Sequence, residues 1–202
     1  MRDELFLLRR ERGCAILQLV SADGTNKLGM ERISELYSVM KELRAEAESG
    51  RVKSLIITGN DKFFSVGADL NELSQLTAAQ AFEFSRRGQA LMQAIDEFPV
   101  PTIGAIRGYC MGGGMDLALA CDYRIAAPNA VFGHRGASLG VMTGWGGTQR
   151  LPRLIGAARA IEMFATAKRV TSDEAFEIGL VNRIGEPVLD AAIEIASGRE
   201  RK

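Results

Sequence analysis

The sequence has few of the residues that bind metals. It contains one histidine, His134, and three cysteines, Cys14, Cys110 and Cys121, among 202 residues. A single histidine argues against a histidine-rich metal site, and the cysteines show neither metal-ligand nor C-x-x-C spacing. Their apolar neighbours predict buried thiols, which suit a reducing cytoplasm. We therefore expect a cytoplasmic protein without a bound metal.

An excess of either charge is also absent. Lysine and arginine together number 25, and aspartate and glutamate also number 25, so the formal net charge is zero. Balanced charge argues against nucleic acid as the main partner. The apolar run at residues 5–8 is too short for a signal peptide or a membrane span. We therefore expect no nucleic acid partner and no membrane span.

What the chain does contain is the alternation of an α/β protein. The hydrophobic fraction is 47%, enough for a core, and the length suits one domain. Apolar spacing predicts an amphipathic helix over Met30–Glu48 and a long helix over Ala78–Phe98. The other predicted elements are a hairpin at 5–8 and 15–20, strands at 54–58, 123–127, 130–132 and 181–184, and helices at 157–167, 172–178 and 187–197. Short helices are also predicted near Leu70 and toward Leu154. Strands that alternate with helices indicate the α/β class.

The stretch from Pro101 to Cys121 combines a β-rich run, a glycine-dense turn and an apolar run that predicts a buried helix. It has neither G-x-G-x-x-G nor G-K-[ST], so neither nucleotide fingerprint applies. Amides at a helix N-terminus have no partner within the helix and favour a negative ligand. Glycine lets such a ligand come close. Asp116 falls in the first turn, where it is either functional or a simple complement to the helix dipole.

Four segments resemble the crotonase, or enoyl-CoA hydratase/isomerase, family. They are KFFSVGADLNEL, PTIGAIRGYCMGGGMDLALACDYRIA, GWGGTQRLPRLIG and the pattern A-x-x-x-GLVNRI. The resemblance covers about Leu5 to Ile184 and is more specific for the fold than for the reaction. It implies a crotonase-like spiral of β-β-α units, with residues 1–184 as an acyl-CoA-binding core. It also implies that coenzyme A enters as part of the substrate, with no cofactor held permanently.

The resemblance further implies an oxyanion hole made of two backbone amides, those of Ala68 and Gly113. Each lies in a glycine loop at the start of a helix, so the two loops could converge on one thioester oxygen. Lys27 and Lys62 are candidates for the CoA phosphates, although they could equally be solvated surface lysines. The loop residues assigned to substrate binding are Phe64, Ser65, Gly67 and Asp69.

Acid–base residues are where the sequence departs from the family. The first glutamate of the family's hydratases corresponds to Asp116, the second to Gly136, and a further acid of some members to Gly144. The resemblance therefore supplies one carboxylate instead of two. A glutamate at position 136 would restore the second, if the backbone there accepts a side chain.

His134 lies two residues before Gly136 and is a candidate general base. The alternative is an ordinary loop histidine. Trp145 is expected to be a wall of the pocket. A serine hydrolase built from Ser65 or Ser138 is disfavoured, because the sequence has no G-x-S-x-G elbow.

After GLVNRI, the family continues through helices that complete the acyl pocket and build a trimer. Residues 185–202 predict one short helix with a charged end, so that trimerisation region is largely absent. A naturally short chain and a truncated one both remain open. The family's trimer or hexamer makes a homo-oligomer the expectation.

Together these features predict an acyl-CoA-processing enzyme of fatty acid metabolism that stabilises a thioester enolate. Enoyl-CoA isomerase or a hydratase-like lyase is the leading expectation. The alternatives are an acyl-CoA decarboxylase, which needs the oxyanion hole and almost no base, and a non-catalytic acyl-CoA-binding or assembly subunit.

Overall fold

The computed structural model describes residues 5–198. Residues 1–4, at the start of the predicted core of residues 1–184, lie outside the described part of the chain. So does the charged end at 199–202 of the predicted C-terminal region, residues 185–202. The main sheet has six strands in the order β1-β2-β4-β7-β9-β12. Their bounds are β1 Phe6–Glu11, β2 Cys14–Leu19, β4 Ser54–Thr58, β7 Thr102–Ile106, β9 Tyr123–Ala126 and β12 Arg183–Ile184.

The predicted hairpin forms the antiparallel edge of this sheet. Strands β1 and β2 pair from Phe6 with Leu19 to Glu11 with Cys14. The two turn residues, Arg12 and Gly13, both have positive φ, at 51° and 82°. That is the backbone of a tight two-residue hairpin turn. The other strands pair in parallel. The inner strands β4 and β7 are buried throughout, which explains their nearly continuous apolar sequence.

A second, smaller sheet lies beside the first. It contains β5 Phe63–Ser65, β8 Tyr109–Met111, β10 Val131–Gly133 and β11 Arg169–Thr171, in the order β11-β10-β8-β5. A further pair joins β3 Lys27–Leu28 to β6 Gly67–Ala68. The chain passes repeatedly from a strand of the main sheet to a strand of the second sheet and then to a helix. This repeat is the predicted spiral of β-β-α units.

Eight helices complete the described chain. They are α1 Met30–Glu48, α2 Leu70–Leu73, α3 Ala78–Asp96, α4 Gly113–Leu119, α5 Gly147–Ile155, α6 Ala157–Thr166, α7 Ser172–Glu177 and α8 Val188–Ala196, with a 3-10 turn at Gly136–Leu139. Helix α1 has the predicted bounds, and α3 ends two residues before Phe98. Every residue of α4 is buried, as the missing polar face predicts.

The main sheet separates two apolar clusters. The larger one joins the sheet to α1, α3 and α4. The smaller one packs Ile56 and Ile103 of the sheet against Val188 and Ala192 of α8, since alternate side chains of a strand point to opposite faces. The predicted C-terminal helix is therefore present and covers one face of the sheet. The three cysteines are buried and unpaired, as predicted. Within residues 5–198, no helix is long and apolar enough to cross a membrane.

Candidate active site

The site begins where β8 passes into α4. Gly112 precedes the helix with φ 52° and ψ −122°, a backbone conformation that residues other than glycine rarely adopt. Helix α4 then starts at Gly113, and the Asp116 amide donates to the Gly112 carbonyl. As the first helical residue, Gly113 has no intrahelical partner for its own N–H. The local sequence thus leaves the Gly113 amide at the helix start for another acceptor.

The second glycine loop lies directly against this helix start. Gly67 has φ 89°, and a Cβ built on it would lie 2.6 Å from the Gly113 nitrogen. Only a residue without a side chain permits that approach. The Ser65 hydroxyl accepts from the Gly67 amide and donates to the Asn26 carbonyl, which fixes the loop. Ala68 and Gly113 consequently line one cavity together.

That cavity has a volume of about 870 Å³, within the range of small-molecule sites. It is bounded by Lys27 of β3, by α2 and α3, and by the loop between β10 and α5. Its apolar walls include Leu70, Leu73, Phe84, Met142 and Trp145. Lys27, Arg135 and Arg169 supply positive charge. An apolar chamber with cations on its wall suits a ligand that has an apolar part and an anionic part.

Asp116 and His134 meet behind the wall of this cavity. The Oδ1 atom of Asp116 lies 3.4 Å from Nε2 of His134, and neither of these two buried atoms has a hydrogen-bond partner. The other carboxylate oxygen, Oδ2, accepts a hydrogen bond from the Thr143 hydroxyl. Asp116 has no exposed surface, whereas His134 and Thr143 line the cavity. The carboxylate therefore reaches the cavity through its two neighbours.

Burial sets the ionisation of both groups. Desolvation raises the pKa of Asp116 to about 7, against the opposing effects of the Thr143 hydrogen bond and the charge of Arg150. Desolvation lowers the pKa of His134 to about 4. The distance between the two side chains would suit an ion pair, but both pKa shifts favour the uncharged forms, a protonated Asp116 and a neutral His134. At neutral pH the pair therefore stands near its midpoint, able to take up or release a proton.

The pairing of strands brings these two residues together. In the second sheet, Gly133 of β10 lies opposite Met111 of β8. The residues that follow these strands, His134 and the N-terminus of α4, are therefore neighbours in space. Gly147 also allows the approach, since a Cβ there would lie 2.1 Å from Asp116 Oδ1 and 3.1 Å from His134 Cε1.

Gly136 does not offer room for the missing glutamate. Its φ lies outside the left-handed region, so the backbone conformation at this position would accept a side chain. The obstacle is steric, because a Cβ would lie 2.2 Å from the Val141 carbonyl oxygen. The Val141 amide donates to the Gly136 carbonyl, which closes the loop tightly. At Gly144, by contrast, the nearest atom is the Ser85 hydroxyl, at 2.9 Å.

The residues predicted to bind the substrate fall into two groups. Lys27 and Asp69 line the cavity. Lys27 is paired with Asp23 at 2.9 Å, and Asp69 caps α2 by accepting from the Asn71 and Glu72 amides. The structure does not place the others on the cavity wall: Phe64 and Ser65 are fully buried, Gly67 packs against the α4 backbone, and Lys62 is exposed. Phe64, Ser65 and Gly67 therefore support the loop from the side that faces away from the cavity.

Sequence reasoning missed several residues that line the cavity. Arg169 belongs to β11, a strand that was not predicted, and its guanidinium lies 6.0 Å from the centre of the Tyr109 ring. Thr143 was assigned no role from the sequence, and its contact with Asp116 links positions 27 apart. No local pattern reports such a contact. Within residues 5–198, no group of three or more His, Cys, Asp or Glu side chains could hold a metal ion.

Comparison with known proteins finds a family and close structural neighbours. The family model for enoyl-CoA hydratase/isomerase matches residues 9–198. A crotonyl-CoA hydratase of Syntrophomonas wolfei is 39% identical over 188 residues, which cover 93% of this chain and 71% of that protein. The crystal structure of an enoyl-CoA hydratase from Bacillus anthracis has a TM-score of 0.91 at 34% identity, covering 97% of this chain and 76% of the other. Pseudomonas aeruginosa DspI has the same TM-score at 32% identity, covering 100% and 83%.

Proposed function

The chain belongs to the enoyl-CoA hydratase/isomerase family, and we propose that it moves the double bond of an enoyl-CoA through an enolate of the thioester. It is an acyl-CoA enzyme of that family. The observation that carries the proposed reaction is the buried Asp116–His134 pair beside the start of α4. Within residues 5–198, Asp69 is the one carboxylate on the cavity wall, and it caps α2.

In this proposal the thioester oxygen binds to the amides of Ala68 and Gly113. Support comes from the position of Gly113 as the first residue of α4 and from the contact between Gly67 and the Gly113 nitrogen. Negative charge that develops on the oxygen would be stabilised by two fixed donors and by the helix dipole. Each such donor is worth roughly 3 to 4 kcal/mol of transition-state stabilisation. Backbone donors do not titrate, so this part of the site works at any pH at which the protein is folded.

The pair supplies the proton transfer. Because Nε2 of His134 faces Asp116, Nδ1 is the ring nitrogen left for a substrate. When Asp116 is ionised, it accepts a hydrogen bond from Nε2–H of the neutral histidine, and Nδ1 presents a lone pair. When the pair holds one more proton, Nδ1 carries hydrogen and can donate it. A pKa of Asp116 near 7 places the change between base and acid close to neutrality, where proton transfer is most effective.

Double-bond isomerisation needs only one group that takes up a proton and then returns it. Nδ1 takes the proton from the carbon next to the thioester of a 3-enoyl-CoA, and the electron pair delocalises onto the thioester oxygen as a dienolate. The same Nδ1–H then protonates the carbon two bonds further along the chain. The double bond moves into conjugation, and the pair returns to its starting state. Atoms and charge balance without a second acid.

Hydration is the second candidate, because the relative from Syntrophomonas wolfei is a crotonyl-CoA hydratase. Addition of water needs a base for the water and an acid for the neighbouring carbon, and here one pair would serve as both. Loss of one acid–base partner typically costs about 10²- to 10⁴-fold. We therefore expect hydration to be much slower than isomerisation.

One spectrophotometric assay separates the two reactions. Isomerisation of a 3-enoyl-CoA raises the absorbance of the conjugated thioester, and hydration of crotonyl-CoA lowers it. The proposal predicts faster isomerisation, and it predicts that His134→Gln slows both reactions. Fast hydration that survives His134→Gln would overturn it. Tight binding of acyl-CoA with no turnover of either substrate would instead indicate a binding subunit.

A further inference from the structure

The single tryptophan of the chain, Trp145, fills a notch between α3 and α4. Its side chain is almost fully buried and still contributes to the cavity wall. A Cβ on Gly88 of α3 would lie 2.1 Å from the indole Nε1, and a Cβ on Gly113 of α4 would lie 2.2 Å from Cζ3. Both helices therefore carry glycine where the ring rests on them. The indole occupies space that two ordinary helices would have closed.

The ring is held in place from several directions. Phe84 packs against it with the ring centres 5.2 Å apart and the planes at 57°. The carbonyl of the preceding residue, Gly144, accepts from Gln89 Nε2 at 2.7 Å and from Ser85 Oγ at 3.2 Å. The carbonyl of Trp145 itself accepts from Arg150 at 3.3 Å. These contacts make the indole a fixed wall, because a change of rotamer would have to displace two helices.

This wall stands next to the proposed reacting centre. The indole touches Gly113, whose amide is the proposed donor to the thioester oxygen. Arg135 and Arg169 are exposed cations on the cavity wall, whereas Trp145 is buried. A thioester whose CoA phosphates face the exposed cations would direct its acyl chain inward, toward the indole.

We propose that Trp145 closes the inner end of the acyl site and restricts the enzyme to short-chain acyl groups. This inference rests on the proposed function, since it needs the thioester oxygen at Gly113. A longer chain would meet the indole and the helix backbones behind it, and a packed interior does not yield to extra methylenes without cost. Replacing the indole by a methyl group would leave a cavity of roughly 150 Å³, the size that accepts a benzene ring.

Binding of saturated acyl-CoA tests the inference without requiring turnover. Isothermal titration calorimetry with butyryl-CoA and dodecanoyl-CoA gives the ratio of the two affinities. We expect the unmodified protein to favour butyryl-CoA. We expect Trp145→Ala to raise the relative affinity for dodecanoyl-CoA by at least about tenfold, the scale of discrimination by small changes in an apolar pocket. Trp145→Phe should lie between the two and keeps the measurement possible if the alanine variant does not fold.

Met40 offers a matched control. It is buried in α1 and does not line the cavity, so Met40→Ala should lower stability and leave the affinity ratio unchanged. Equal affinity of the unmodified protein for both ligands, or an unchanged ratio in both Trp145 variants, would overturn the inference. A protein that binds butyryl-CoA with the expected preference and yet isomerises no enoyl-CoA would contradict the proposed reaction but not the inference about Trp145.

Discussion

The candidate site has two sides that are built differently. One side consists of backbone, the amides of Ala68 and Gly113, brought together by glycines at 67 and 112. The other consists of side chains, Asp116 and His134, whose properties come from burial. The first side depends on geometry alone and carries no titratable group. The second depends on a balance between desolvation and a few polar contacts. Substitutions should therefore affect the two sides in different ways.

The largest effect is expected on the backbone side. Gly113→Pro removes the amide hydrogen, and proline is compatible with the first position of a helix. We expect turnover to fall about 10³-fold, the upper range for loss of one oxyanion donor. Steady-state kinetics on the isomerisation substrate measure the effect.

Gly113→Ala is the matched control for this variant. Alanine adds the same Cβ next to Trp145 but keeps the N–H, so the difference between the two variants isolates the hydrogen bond. Circular dichroism must first show that both are folded. If the folded proline variant is as active as the alanine variant, Gly113 is not an oxyanion donor.

The next largest effect is expected on the side-chain side. Asp116→Asn keeps the shape of the residue and removes the proton acceptor, so turnover should fall about 10²-fold. Asp190 occupies the corresponding first turn of α8 and is exposed. If Asp116 only complemented a helix dipole, Asp116→Asn and Asp190→Asn would change activity equally little, and the assignment would be wrong.

The pH dependence of stability sharpens the comparison, because the two side chains contribute with opposite sign. The pKa of Asp116 rises from 3.8 to about 7 on folding, so its contribution to stability is lost as the pH rises through that interval. The pKa of His134 falls from 6.5 to about 4, so its contribution is lost as the pH falls through that interval. Each group changes the free energy of unfolding by about 1.4 kcal/mol per pH unit within its interval. Between about pH 4 and 6.5, where the intervals overlap, the two opposite slopes largely cancel.

Single variants should uncover these slopes. In Asp116→Asn, the free energy of unfolding should rise with pH between about 4 and 6.5, relative to the unmodified protein. In His134→Gln, it should fall with pH between 3.8 and about 7. Urea unfolding at several pH values measures both. Slopes of the same sign in the two variants would contradict the assignment of opposite shifts.

The smallest effect on catalysis is expected at Gly136. Gly136→Glu should not raise hydration of crotonyl-CoA, because the new Cβ collides with the Val141 carbonyl. We expect a loss of stability of about 1 to 3 kcal/mol, as for other overpacked sites. A Cβ at Gly144 meets only the Ser85 side chain, so Gly144→Glu should cost less. Increased hydration by Gly136→Glu at unchanged stability would show that the loop opens more easily than the structure indicates.

The sequence predicts the two sides to different degrees, for a physical reason. Local patterns predict α1 and the buried strands β4 and β7, since periodicity and apolar runs are local. Of the three-residue strands, β10 is predicted, whereas β5, β8 and β11 are not, because strands this short show little alternation. Ala68 and Gly113 are proposed from motifs of the family resemblance, and each of these motifs is a local glycine loop. The meeting of Asp116 with His134, and of Trp145 with Gly88, depends on the pairing of β8 with β10 and on helix packing, which no local pattern contains.

Hydrogen exchange at the carbon next to the thioester tests the central claim most directly. The claim is that the backbone donors and the Asp116–His134 pair together promote formation of an enolate of the bound thioester. Proton NMR of butyryl-CoA in deuterated buffer follows enolate formation without depending on the final reaction. We predict catalysed exchange with a midpoint near pH 7, where Asp116 titrates, and its loss in both Gly113→Pro and Asp116→Asn. Absence of exchange, or exchange that is independent of pH and survives Asp116→Asn, would contradict the account.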